Sequence, residues 1–153
     1  MVLKLTQKER MLLNDQKYHE QICIQKYLKY SKEAVDQTLK KLFSNHAIAE
    51  QDHLNTINQI LAGQVPDLKQ QKTSEATRVL DPSKGAKVNQ NDLDLCNDML
   101  VTEKYISSSY DTVIFECNDN NVRQALNYIQ KEEQGHGESL SNYLRSKGDY
   151  KFS

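Results

Sequence analysis

Residues 95–110 read LCNDMLVTEKYISSSY, and residues 12–27 read LLNDQKYHEQICIQKY. The two stretches carry the same residue at the same place five times: Leu12 on Leu95, Asn14 on Asn97, Asp15 on Asp98, Glu20 on Glu103 and Tyr27 on Tyr110. This offset of 83 positions, Leu12 to Leu95, continues without a gap through Asp36 on Asp119, Glu50 on Glu133, Gln51 on Gln134, His53 on His136 and Leu61 on Leu144. The chain is therefore a duplication, and the periodicity within each copy shows what was duplicated.

Leu13, Gln16, Glu20, Cys23, Tyr27, Tyr30 and Ala34 follow one another at steps of three and four, the stripe of a helix that faces a partner. Thr6-x-x-Glu9 has the form of a capping box at its start, and the stripe ends near Val35. Asp36 can cap a second helix over about 37–62, with Leu39, Leu42, His46, Ala49, Glu50, His53, Ile57 and Ile60 on its seam. Gly63 and Pro66 stop it. The pattern repeats from Asn91 as Cys96, Met99, Glu103, Ile106, Tyr110, Val113 and Cys117, and after NDNN as Val122, Ala125, Ile129, Glu132, Glu133, His136, Leu140 and Tyr143, with Gly148 as the stop.

Each copy is thus a helical hairpin, about 6–62 and 91–147, and nothing reads as a strand. The residues between, about 63–90, lose the periodicity and hold both prolines, with SEATRVL as a candidate short helical turn. Two short turns and one long crossover predict an all-α, ferritin-like antiparallel four-helix bundle, a single domain over 1–153.

Composition narrows the function. A net charge of -1 and a pI near 6.4 give no field for nucleic acid or an anionic membrane. No stretch approaches a membrane span of about 20 apolar residues, and MVLKLTQKER lacks the apolar core of a signal peptide. Synthesis in the cytoplasm without secretion is the expectation. Cys23, Cys96 and Cys117 are odd in number and sit among apolar residues, as reduced core cysteines do.

The duplication also organises the polar seam. Glu20 and Glu103 each lie on the first helix of a hairpin, while Glu50-x-x-His53 and Glu133-x-x-His136 lie on the second. Glu20 precedes and Glu50 follows the turn near 35 by equal lengths, as Glu103 and Glu133 do the turn near 118, so the four carboxylates should meet at one level. Residues three apart share a helix face and can ligate one ion or two adjacent ions. The plan is the inward ligand set of di-iron and di-manganese carboxylate bundles.

Four buried carboxylates without neighbouring Lys or Arg would cost several kcal/mol each, whereas two divalent cations cancel their charge. Oxygen and imidazole donors suit iron or manganese, and the ligand types also admit zinc. The alternative is a polar centre in which carboxylates share protons and pair with histidines. Tyr27 and Tyr110, two turns beyond Glu20 and Glu103, can hydrogen-bond the carboxylates or simply fill the core. His46, without a histidine at its duplicated position, reads as a core residue and His19 as a surface one.

The NDML-TEKY-S-SY run of 97–110, the EEQ-HG run of 132–137 and NYL near the end resemble the spore coat protein F family of endospore-forming bacteria. The resemblance implies a ferritin-like fold and a coat-associated, structural or protective role in sporulation. The wider ferritin-like class, with bacterioferritin, rubrerythrin and manganese catalase, implies a metal site where the motif is complete. Here that places Glu20, Glu50, His53, Glu103, Glu133 and His136 as ligands. Analogy with this class also implies a homodimer through the first two helices, and the coat role implies other coat proteins as partners. A chain ending soon after the fourth helix lacks the fifth helix of cage-forming ferritins, and without Cys-x-x-Cys it lacks a rubredoxin-type iron site. A redox enzyme acting on peroxide or oxygen under oxidative stress, and a metal-free binding module, are the competing readings.

Overall fold

The computed structural model describes residues 2–67 and 88–148, and SEATRVL lies outside them. The described residues hold four long helices and no strand: α1 Gln7–Glu33, α2 Gln37–Leu61, α3 Gln90–Glu116 and α4 Asn120–Ser146. Local chemistry sets their starts. Thr6 and Glu9 close a reciprocal capping box on α1, while Asp36, Asn89 and Asp119 accept from the backbone amides of Thr38, Asp92 and Val122. Gly63 ends α2 in the left-handed region at φ +85, where its carbonyl accepts from Leu3 N at 2.8 Å and a Cβ would stand 3.1 Å from Val2.

Side-chain contacts give the helix directions. Tyr27 reaches Glu103 and Tyr110 reaches Glu20, so α1 and α3 run antiparallel. His53 meets Glu132 and Glu133 while Glu50 meets His136, so α2 and α4 do too. With a tight turn inside each hairpin, α2 and α3 must then run parallel. The chain leaves α2 at one end of the bundle and enters α3 at the other, along a helix length of about 40 Å for 27 residues.

Two acids tie the hairpins at their turns. Glu9 on α1 accepts from Asn118 N at 2.8 Å, in the turn between α3 and α4. Asp92 on α3 accepts from Val35 N and Asp36 N, both at 2.9 Å, in the turn between α1 and α2. Both acids are buried, and they occupy equivalent positions of the duplication. The core between them runs from Leu13, Leu39 and Phe43 to Met99, Leu126 and Leu140, and the three cysteines lie buried and outside any disulfide.

Gly135 and Gly137 have no packing cause. A close helix approach or local unwinding beside His136 would account for them, but α4 is unbroken, a Cβ at Gly135 meets nothing within 4 Å, and one at Gly137 meets only Leu100 at 3.9 Å. No described helix is long and apolar enough to cross a membrane.

Candidate metal centre

Glu20 of α1, Glu50 and His53 of α2, Glu103 of α3, and Glu133 and His136 of α4 converge at mid-height, and none is more than 2% exposed. His136 Nδ1 lies 2.9 Å from Glu50 and 3.2 Å from Glu103; His53 Nδ1 lies 2.9 Å from Glu133 and 3.1 Å from Glu50. Two overlapping groups offer ligand atoms within 4.8 Å of one another: Glu20, Glu50, His53 and Glu133, and Glu50, Glu103, Glu133 and His136. Glu50 and Glu133, the acids of the two Glu-x-x-His pairs, are common to both.

Tyr27 and Tyr110 hydrogen-bond across the duplication. Tyr27 donates to Glu103 at 2.6 Å and Tyr110 donates to Glu20 at 2.5 Å, so each tyrosine serves the carboxylate of the other hairpin. Burial first, then those carboxylates, push both phenols well above their usual range, so they remain donors at neutral pH.

Residues 91–153 match the family model of the Coat F domain. The match supports a relation to the spore coat protein F family. Among curated proteins nothing matches the chain, and among solved structures nothing does. The Coat F segment supplies Glu103, Tyr110, Glu133 and His136; Glu20, Glu50, His53 and Tyr27 come from outside it.

The protons of this centre are unevenly shared. Burial, reinforced by neighbouring carboxylates, raises Glu50 and, within the Coat F segment, Glu133 well above the ordinary carboxylate range. Burial also opposes ionisation of Glu103, but His136 overrides it and holds that carboxyl low. At His53 burial disfavours the charge, and Glu132 and Glu133 outweigh it, raising the imidazole.

Two residues break the symmetry. Glu132, next to Glu133 in the Coat F segment, accepts from His53 Nε2 at 3.0 Å, whereas its equivalent in the first hairpin is Ala49. Its seam position was visible in the sequence without pointing to a partner. His46 is buried as expected of a core residue, and it also stacks on His136 at 4.1 Å, with rings 20° from parallel. Tyr27 gives its only proton to Glu103, so its oxygen accepts from His46 Nδ1 at 3.1 Å. That leaves His46 Nε2 unprotonated, buried and without a hydrogen-bond partner. His46 groups with Glu103 and His136, yet rings stacked face to face do not aim their in-plane lone pairs at one point, so it serves Tyr27 rather than completing a ligand set. His19 is half-buried rather than on the surface, donating from Nδ1 to Gln16 Oε1 over 3.1 Å and edge-on to Tyr105.

Proposed function

We propose that the protein is a spore coat-associated bundle of ferritin-like type that holds two divalent transition-metal ions and has a structural or protective role in the coat. The observation that carries this reading is a set of buried, orphaned acceptors. Glu20 Oε2, Glu103 Oε2 and Glu133 Oε2 lie out of water with no hydrogen-bond partner. A buried acceptor left unsatisfied costs about 1–3 kcal/mol, more when charged. Cations satisfy all three together and neutralise four carboxylates.

Glu50 and Glu133 would be shared between the ions; Glu20 and His53 would complete one ligand set, and Glu103 and His136 the other. Crossed tyrosine hydrogen bonds would fix Glu20 and Glu103 in place. Iron or manganese is the metal this donor set favours, with zinc the runner-up, and bound iron or manganese supplies redox chemistry. A second reading, a di-metal enzyme that removes peroxide or oxygen, is favoured by a cleft that leads to Glu103 and Glu133. The same fold supports a homodimer through α1 and α2, which expose Met11, Leu28 and Ile48.

Elemental analysis of protein reconstituted with iron or manganese tests the centre, with two ions per chain expected; fewer than one returns the chain to a metal-free binding module. Peroxide consumption by the loaded protein separates the two metal readings. Equal rates for wild type and the Glu50→Ala, Glu133→Ala double variant exclude the enzyme.

A further inference from the structure

The two hairpins carry the same ligands, and among the described residues a cleft opens towards them in the second. A cleft of about 540 Å³ lies between α3 and α4, and Glu103 and Glu133 form its floor. Both carry a buried Oε2 with no hydrogen-bond partner. Ser107, Asp111 and Gln130 line the way in, and Gly137 leaves a gap beside Leu100.

The duplication shows what the first hairpin puts at these places. Ser107 is matched by Ile24, Asp111 by Leu28, Gln130 by Ala47 and Gly137 by Leu54. The second hairpin thus carries polar or absent side chains at four places where the first carries apolar ones. The glycine is otherwise unexplained, since a methyl would fit at ordinary contact distance and glycine inside a helix is less favourable than alanine.

We propose that the α3–α4 cleft is a loading route by which a hydrated divalent cation reaches the centre, and that Gly137 keeps it open. The inference rests on the metal-centre reading above. The charged lining is Lys104 against Asp111 and Glu103, a negative balance that draws a cation and repels an anion. The hydroxyl and amide oxygens of Ser107 and Gln130 replace hydration waters as the ion descends, and Glu103 and Glu133 receive it. Gln130 is held for this by hydrogen bonds to Ser107 O at 2.8 Å and Asp111 at 2.6 Å.

The test uses the full chain stripped of metal and mixed rapidly with Co²⁺, followed by visible absorption, with final stoichiometry from equilibrium dialysis. Gly137→Leu, which restores the residue of the first hairpin, slows loading while the final stoichiometry stays that of wild type. Asp111→Leu, on the exposed rim where folding is not at stake, slows it by about tenfold through loss of electrostatic focusing. Wild-type rates in both variants overturn the route and leave the centre standing. Failure of wild type to bind one Co²⁺ per chain overturns the centre and the route together.

Discussion

Replacing Glu50 by glutamine should stabilise the metal-free protein while weakening its response to metal. Glu50 is fully buried, touches His53 at 3.1 Å and His136 at 2.9 Å, and has its pKa raised by burial and by the charges of Glu20 and Glu103. In the unfolded chain it ionises near its usual value of about 4.3. Folding at neutral pH must therefore bind a proton or bury a charge, and this penalty grows by about 1.4 kcal/mol per pH unit from the unfolded pKa up to the folded one. Below the unfolded pKa the penalty is absent.

Glutamine keeps one acceptor for the histidines and offers an amide N–H to Glu20 or Glu133, at no ionisation cost. Relief of a buried, under-satisfied polar group is worth about 1–3 kcal/mol, and a domain of this size moves in Tm by about 2–4 °C per kcal/mol. Melting curves of chelator-treated protein should show Glu50→Gln above wild type at pH 7.5, with the gap narrowing towards pH 5. Added Mn²⁺ should reverse the order. A variant less stable than wild type across this range without metal would refute the claim that the carboxylates strain the metal-free centre.

Metal itself should raise the wild-type melting temperature, because a ligand bound only by the native state at 100 times its Kd stabilises it by about 2.7 kcal/mol; a scan with and without chelator checks this. Burial opposes ionisation of Glu9, but the amides of Asn118 and Thr6 prevail and lower its pKa. Its contribution is therefore full above the unfolded pKa and lost as pH falls through the lower folded value; urea titrations should place Glu9→Gln about 1–3 kcal/mol below wild type at pH 7, converging in acid. Tyr27→Phe should cost more stability than Tyr110→Phe, since only Tyr27 also accepts from His46, and equal losses would count against that chain of bonds. Gly135→Ala, in open space on α4, should stabilise by about 0.5–1 kcal/mol in thermal melts.

The helices and the six converging side chains were legible because both are matters of period. Glu20 and Glu103 repeat at a fixed offset, and a seam three or four residues apart determines which face they share. Partners between helices are a different kind of fact. Tyr27 lies on the same face as Glu20 in sequence but bonds Glu103, because the antiparallel α1–α3 pairing brings residue 27 opposite 103. Glu132 lay on the seam in the sequence, but its partner His53 emerged only when α2 was packed against it. The pairing of Glu9 with Asp92 did leave a trace, two acids at equivalent positions of the repeat, yet the amides they serve lie on the other hairpin and carry no side-chain signature.

Those two acids bear on how the molecule can come apart. Each hairpin closes its turn with a carboxylate borrowed from its neighbour, so a hairpin that frays exposes unfilled amides in the one that remains. The Coat F segment alone would keep Asp92 but lose Glu9, the group that holds its own turn at Asn118. In this chain the boundary of the family match is therefore not a seam of independent folding. Loss of either acid should therefore loosen the turn of the opposite hairpin and couple the unfolding of the two halves.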